Sequence, residues 1–103
     1  MSNTIRHKYK AVRNVRDGIK FPSLKEGRYY DELKLRVRSG EVLFFLRQTP
    51  FHLPGGVKYV CDFIEFWTNG EVHIIETKGF KTTDYKAKKK MVEALYPIKI
   101  EEV

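Results

Sequence analysis

Three acids and one lysine carry the chemistry that this sequence could perform, namely Glu26, Asp62, Glu76 and Lys78. Two carboxylates that meet at the edge of an apolar sheet face repel each other and lose hydration, unless a positive charge joins them. Mg²⁺ is a natural partner, because it takes oxygen ligands from one or two carboxylates and keeps several waters. We therefore predict a Mg²⁺ site, provided that the fold brings these side chains together.

The length of one hairpin loop decides whether Asp62 and Glu76 meet, because directly opposed residues on paired strands share a face of the sheet. A two-residue Asn69-Gly70 loop would set Asp62 opposite Thr77 and away from Glu76. A three-residue loop beginning at Thr68, with Gly70 in the left-handed conformation of a G1 bulge, sets Asp62 opposite Glu76 instead.

The apolar pattern favours the three-residue loop. In that register one face of the hairpin is apolar, and we expect this face to pack under the first helix: Ile64, Phe66, Val72 and Ile74. The other face holds a mixture suited to partial exposure: Glu65, Trp67, Glu71, His73 and Thr77. Asp62, Glu76 and Lys78 should then cluster at the far end of the core face.

Each member of this cluster has an expected role. Asp62 and Glu76 bind the metal, and the backbone carbonyl of Thr77 adds an oxygen ligand. Glu26 completes the site through a water. Lys78 orients or deprotonates an attacking water, or stabilises charge that develops on a phosphate. Gln48, at the end of a strand, either approaches the site or has only a strand-edge role.

The first helix has to deliver Glu26 to this site. The segment from Ser23 to Glu26 has the form of a capping box, so a helix should begin near Leu24 and end at Gly40. Helical spacing places Glu26 one turn before a buried stripe of Tyr30, Leu33 and Val37. The alternative role of Glu26 is that of a capping-box acid alone.

The other elements follow from turn signals and apolar runs. Asp17-Gly18 suits a two-residue hairpin turn. Three strands are predicted at residues 41–47, 57–67 and 71–78, the first with an extension to residue 53 that is bent at Pro50. A helix at residues 83–96, capped by Thr82 or Thr83, leads to a last strand at 98–103. A right-handed crossover makes that strand parallel to its predecessor, so the sequence predicts an α/β fold with a mixed sheet and the order αβββαβ.

Composition predicts one domain over residues 1–103, with residues 1–11 as a basic arm. The net charge of +7 predicts a polyanionic partner, either nucleic acid or an acidic membrane. No segment approaches the roughly 18 apolar residues of a membrane span, residues 1–10 do not resemble a secretory signal, and the single cysteine fits a reducing cytoplasm. The basic residues expected to contact DNA are Arg6, Lys8, Lys10, Arg13, Arg16, Lys81, Lys86, Lys89 and Lys90.

An acid on one strand, Glu-X-Lys on the next and a Glu on the preceding helix together resemble the PD-(D/E)XK nuclease superfamily. Here the motif stands as Asp62, thirteen intervening residues and Glu76-Thr77-Lys78, with Glu26 from the helix. Cys61 stands where the superfamily name shows Pro. The stretches at residues 17–21, 23–26 and 76–81 are similar to small phage-encoded nucleases related to Holliday-junction resolvases.

The resemblance implies a mixed sheet flanked by helices and a Mg²⁺- or Mn²⁺-dependent DNA endonuclease that needs no nucleotide cofactor. Lys78 would be its catalytic lysine. It also implies a homodimer acting on branched DNA, because two symmetric cuts need two symmetric sites. The expected setting is the cytoplasm of a bacterial host, with the protein encoded by a phage. Two alternatives stay open: a non-catalytic nucleic-acid-binding module, and a nuclease subunit of a larger recombination complex.

Overall fold

A computed structural model describes residues 14–77, 79 and 81–103 of the chain. The described elements, in chain order, are β1 (Val15–Arg16), β2 (Ile19–Lys20), α1 (Leu24–Arg38), β3 (Val42–His52), a 3₁₀ turn (Pro54–Gly56), β4 (Lys58–Trp67), β5 (Val72–Glu76), α2 (Thr83–Leu95) and β6 (Ile100–Glu102). The basic arm predicted at residues 1–11 lies outside this part of the chain. Within the described part, no helix has the length and apolar character needed to cross a membrane.

The main sheet has four strands in the order β3-β4-β5-β6. The first two pairings are antiparallel, and β5 and β6 are parallel, as a crossover through α2 requires. β1 and β2 form a separate hairpin whose turn residues, Asp17 and Gly18, have φ values of 52° and 75°. The predicted mixed α/β fold class is confirmed.

Local signals set the ends of both long helices. The Ser23 hydroxyl accepts a hydrogen bond of 3.1 Å from the backbone N–H of Glu26, and Gly40 follows α1 with a φ of 85°. Thr82 caps α2 by accepting a hydrogen bond of 3.1 Å from the N–H of Tyr85. Because side chains satisfy donors that the first helical turn leaves free, both helices begin where the sequence predicts.

The β4–β5 hairpin has the predicted three-residue loop. The N–H of Trp67 donates to the carbonyl of Glu71 over 2.9 Å, and Gly70 has a φ of 91°. Further along, Phe63 pairs with Ile75 and Ile64 with Ile74. The same register, extended by one residue, sets Asp62 opposite Glu76.

The prediction of which face lies under the first helix is wrong. α1 packs through Tyr30 and Leu33 against Phe63 and Ile75. The face of Ile64 and Ile74 packs instead in a cluster with the α2 residues Tyr85 and Val92. The helices therefore cover opposite faces of the sheet, and the middle of β4 is buried on both sides.

Three residues depart from their expected exposure: Val72, Glu65 and Thr77, the last predicted on the partly exposed face and only 2% exposed. Val72, placed on the core face by the apolar pattern, is 51% exposed. Glu65, placed on the partly exposed face, is 1% exposed. Because both faces of central β4 are covered, alternation of polar and apolar residues does not report burial there. The predicted bend at Pro50 is also misplaced: Pro50 pairs regularly with Val60, and the unusual backbone lies at Gln48.

Candidate functional site

Glu26 lies in the first turn of α1 and points its side chain toward β3. The side chain is buried, and its Oε2 accepts hydrogen bonds from Arg47 over 3.3 Å and from Gln48 over 3.0 Å. The Ser23 cap involves only the backbone N–H of Glu26. The carboxylate of Glu26 is thus directed into the sheet rather than back onto the helix start.

The environment of Glu26 disfavours its charge. Burial raises the pKa of its carboxyl above the ordinary value, and the negative charge of Asp62 raises it further. The hydrogen bond and positive charge of Arg47 lower the pKa but do not offset both effects. A second positive charge at this position would relieve a repulsion that Arg47 leaves in place.

Gln48 connects the two acids from an unusual backbone conformation. It has a φ of 49° in the interior of β3, where an L-residue with a Cβ is strained by about 1–2 kcal/mol. Its Nε2 donates to Glu26 over 3.0 Å and approaches Oδ1 of Asp62 at 3.5 Å. Of its two expected roles, the geometry matches approach to the site.

Asp62 stands on β4 across from Gln48 and bonds to the strand on its other side. Its Oδ2 accepts from the Thr77 backbone N–H over 2.8 Å and from the Thr77 hydroxyl over 2.7 Å. Tyr59 and Cys61 belong to the same cluster as Ile64 and Ile74, although regular alternation would put them on opposite faces. The side-chain alternation of β4 therefore changes at Asp62.

Glu76 is buried on the α2 side of the sheet. It accepts a hydrogen bond from the hydroxyl of Tyr59, and burial together with this bond raises the pKa of Tyr59. The Tyr59 ring lies 6.2 Å from the ring of Tyr85, whose hydroxyl donates to Glu102 over 2.7 Å. The backbone carbonyl of Glu76 accepts from the N–H of Val103 over 3.0 Å, so β6 also holds this strand end.

The structure thus links Glu26, Gln48, Asp62 and Thr77 by direct contacts. Glu76 lies opposite Asp62 in the strand register, but its carboxylate accepts from Tyr59 on the α2 side, whereas Asp62 is turned toward Gln48 and Thr77. Lys78 lies outside the described residues. Across the described part of the chain, no three His, Cys, Asp or Glu side chains form a group that could hold a metal by themselves. A site here would therefore need other ligands, such as the Thr77 carbonyl and water.

The carboxylate oxygens suit a hard divalent cation. Both hydrogen bonds to Glu26 end on Oε2, and both bonds from Thr77 to Asp62 end on Oδ2. Among the contacts of described residues, Oδ1 of Asp62 receives only the 3.5 Å approach of Gln48. Each of these two carboxylates keeps one oxygen for a cation, and an all-oxygen donor set fits Mg²⁺ or Mn²⁺.

Three residues near the site were missed by reasoning from the sequence: Arg47, Tyr59 and Glu65. The guanidinium of Arg47 lies 4.4 Å from the centre of the Phe21 ring, and its Nε is buried without a hydrogen-bond partner in the described structure. The alternation of β3 could have signalled Arg47, since this cation shares a face with Phe45. Cys61 is fully buried, and burial raises its pKa to about 11, as expected of a packed thiol.

The predicted DNA-contacting residues divide into three groups. Arg6, Lys8, Lys10 and Arg13 lie outside the described residues. Arg16 pairs with Asp31 at 3.1 Å and lies over Gly27, where an added Cβ would come within 2.6 Å of its Nη1. Lys81 and Lys89 pair with Glu102 at 3.3 and 3.4 Å, whereas Lys86 and Lys90 are exposed. Arg16 therefore fastens the β1–β2 hairpin to α1, and close approach requires Gly27.

One comparison with known proteins gives a match. A family model described as "Protein of unknown function (DUF1064)" matches residues 6–101. No curated protein and no solved structure matches the chain.

Proposed function

We propose that this chain, which belongs to the DUF1064 family, is a Mg²⁺- or Mn²⁺-dependent endonuclease that hydrolyses phosphodiester bonds in branched DNA. One observation carries the proposal: Glu26 and Asp62, from separate elements, meet at Gln48, where burial and then the charge of Asp62 raise the pKa of Glu26. Maintaining two repelling carboxylates at a strained residue destabilises the fold, so a cation that joins them is the simplest reason for the arrangement.

The residues divide the work as follows. A bound divalent cation supplies the positive charge that makes a phosphodiester susceptible to attack by water. Asp62, Glu76 and the Thr77 carbonyl would hold that cation. Gln48 and Arg47 hold Glu26 in place by their hydrogen bonds, so that its carboxylate can orient a water. Lys78, two positions after Glu76, would stabilise charge on the phosphate.

The test is a panel of labelled four-way, flapped, nicked and linear DNAs incubated with Mg²⁺ or Mn²⁺. We expect the branched substrates to be cut, and cutting to stop in EDTA. Glu76→Gln and Lys78→Ala should abolish cutting while DNA binding persists. Glu71→Gln is the matched control, because Glu71 is an exposed acid at the other end of the same hairpin. Intact DNA at high enzyme excess would contradict the proposal.

One observation favours a rival function. All three acids already accept hydrogen bonds from protein donors, which a non-catalytic nucleic-acid-binding module would also show. Such a module should bind DNA equally well in EDTA and in Mn²⁺ once ionic strength is matched. A nuclease with the proposed site should bind more tightly in a non-cleaving divalent ion, and that increase should be lost in Asp62→Asn. Activity that appears only with added host proteins would point to a subunit of a larger complex.

A homodimer is part of the proposal, and an exposed apolar area supports it. Phe44 is 49% exposed, Leu46 44% and Val72 51%, and all three lie on the sheet face opposite α1. The Phe44 ring stacks on Phe66 at 4.4 Å. Contiguous exposed apolar side chains often mark association sites. Leu46→Lys should shift the sedimentation coefficient to that of a monomer, whereas Leu35→Lys, at an exposed leucine of α1, should not.

A further inference from the structure

A groove of about 770 Å³ lies on the α1 side of the sheet and is separate from the acids described above. α1 covers β3 and β4, and leaves the β5–β6 side of this face open. The groove extends along α1 from Lys25 to Arg36, and its floor includes Glu65, Trp67 and Ile75. A volume of this size is typical of a small-ligand site and can take one or two nucleotide units.

The helix wall of the groove is positively charged. Lys25 and Arg28 lie one turn apart on α1, are exposed, and make no ion pair with another described residue. The acids of the groove are engaged: Glu32 pairs with Arg36 at 2.9 Å, and Glu101 bonds to His73. The exposed charges of the groove that lack a partner among the described residues are therefore both positive, which suits a phosphate backbone.

The floor of the groove carries a buried carboxylate with neutral partners. Glu65 is 1% exposed and accepts hydrogen bonds from the Tyr29 hydroxyl and, over 2.8 Å, from Nε1 of Trp67. Two donors use about half of the acceptor positions of a carboxylate. Because Glu65 is buried, its hydrogen bonds hold the Trp67 indole and the Tyr29 hydroxyl in place at the floor of the groove.

Aromatic rings stand beside this carboxylate. The Trp67 and His73 rings are 4.6 Å apart at an angle of 38°, and Tyr29 borders the same groove. Trp67 and Tyr29 are only half-buried, so their rings are accessible. Single-stranded nucleic acids bind through basic grooves that contain aromatic side chains, because every base offers a face for stacking.

From these features we infer that the groove binds an unpaired stretch of one to two nucleotides in the DNA substrate, with phosphates at Lys25 and Arg28 and a base against the Trp67 ring. In duplex DNA the bases are stacked and paired, so neither the ring face nor the hydrogen-bonding edge is free. Lys25 immediately precedes Glu26 on α1, so the Lys25 end of the groove is the end nearer to that acid. The inference rests on the proposed function for its choice of DNA, and predicts a preference for branches that carry unpaired bases, such as flaps.

The single tryptophan of the chain makes the groove directly observable, because Trp67 alone supplies the indole fluorescence. We would titrate the full chain in EDTA with an eight-nucleotide oligothymidylate and, separately, with a blunt duplex of equal charge. The oligothymidylate should quench the fluorescence with saturation, and the duplex should leave it unchanged. Absence of quenching by the single strand, or equal quenching by the duplex, would overturn the inference.

Two variants locate the contact. The double variant Lys25→Ala/Arg28→Ala should raise the dissociation constant for oligothymidylate about tenfold at low salt. Loss of two phosphate contacts should also flatten the slope of log K against log salt by about 1.4. The control Lys20→Ala/Lys58→Ala removes two exposed lysines that do not line the groove, and should change neither value. Equal effects of the two double variants would show that binding depends only on the net charge of the protein, and would overturn the inference.

A third variant separates this inference from the proposed function. Asp62→Asn should lose DNA cleavage and keep the fluorescence response. If the wild-type protein cuts branched DNA but oligothymidylate does not change the Trp67 fluorescence, the groove inference is overturned and the proposed nuclease function still holds. Wild-type protein that shows the response and cuts no DNA would overturn the nuclease and support the groove.

Discussion

Two buried glutamates lie between α1 and the sheet, Glu26 on the helix and Glu65 on β4, and their surroundings differ in kind. Glu26 is 3% exposed and Glu65 is 1% exposed, so both carboxylates have lost their water. Around Glu26 stand another carboxylate, a guanidinium and a strained glutamine. Around Glu65 stand a tyrosine hydroxyl and an indole N–H, both neutral donors.

The contrast shows how burial alone fails to identify a reactive acid. Neutral donors satisfy Glu65 locally, so that carboxylate needs no further charge. The neighbours of Glu26 include one that repels it, and the raised pKa shows that the balance is unfavourable to its charge. A cation would remove this imbalance at Glu26, whereas it has no such function at Glu65.

The largest effect should come from the repelling partner of Glu26. We expect Asp62→Asn to lower the rate of DNA cleavage by at least about 100-fold, beyond the 10–100-fold typical of groups that only support a metal ligand. Glu65→Gln should lower the rate of cutting at saturating substrate less than about threefold, because Glu65 contacts no proposed ligand of the metal. Single-turnover assays in Mn²⁺ measure both rates. Similar losses in the two variants would show that the surroundings of Glu26 are no more important for cleavage than those of Glu65.

Glu65 should matter more for stability than for catalysis. Glu65→Leu removes the acceptor of two donors, and should lower the free energy of unfolding by about 2–3 kcal/mol. Urea denaturation followed by circular dichroism measures this loss. The control is Glu41→Leu, at an exposed acid, which should stay within about 0.5 kcal/mol of wild type. A stable Glu65→Leu protein would mean that Tyr29 and Trp67 find water instead.

Neutralising Glu26 should raise the free energy of unfolding, whereas replacing Glu65 lowers it. Because its pKa in the folded state is raised, its ionisation opposes folding: the fold is favoured below the unfolded-state pKa, and this advantage is lost as pH rises through the folded-state pKa. Glu26→Gln should therefore stabilise the protein by about 1 kcal/mol above the raised pKa, and by less as pH falls. Urea unfolding at pH 5 and pH 8 is the measurement. Destabilisation at pH 8 would show that Arg47 holds Glu26 favourably.

The smallest expected effect is a change in stability with pH that depends on His73, a residue of the groove. Partial burial disfavours the charge of His73, but hydrogen bonds to Glu71 and Glu101 raise its pKa above the ordinary value of 6.5. Its stabilising contribution is fully present below the unfolded-state pKa and is lost as pH rises through the raised folded-state pKa. The stability difference between wild type and His73→Gln should therefore shrink between pH 6 and pH 8.5. A difference that is constant with pH would show that the ring acts by packing against Trp67.

The sequence alone is sufficient to predict the structure where a local rule determines it. Gly70 and the apolar alternation beside it determine the hairpin register, and Ser23 determines the start of α1. From that register, the opposition of Asp62 and Glu76 follows without any knowledge of tertiary packing. The pairing of these two strands is accordingly predictable, whereas the directions of the two carboxylates depend on their bonds to Thr77 and Tyr59.

The sequence alone is insufficient where packing against segments distant in the chain determines the structure. Phe63, Ile64 and Glu65 are buried in succession, so a two-residue period cannot tell which helix covers which face. Tyr29 lies 36 positions from Glu65, and no residue near Glu65 in the sequence predicts the hydrogen bond between them. Gln48 is not a residue type that favours positive φ, so its conformation is imposed by its neighbours and cannot be read from its identity.

α1 carries Glu26 in its first turn and Arg36 in its last, and it has no break between them. Ten residues of helix span about 15 Å, a length close to about four stacked bases of one DNA strand. In the proposed complex, the groove along this rod and the acid in its first turn would keep a constant spacing, because the helix between them is unbroken. The position of the cut relative to the bound unpaired bases would then follow from that spacing rather than from DNA sequence.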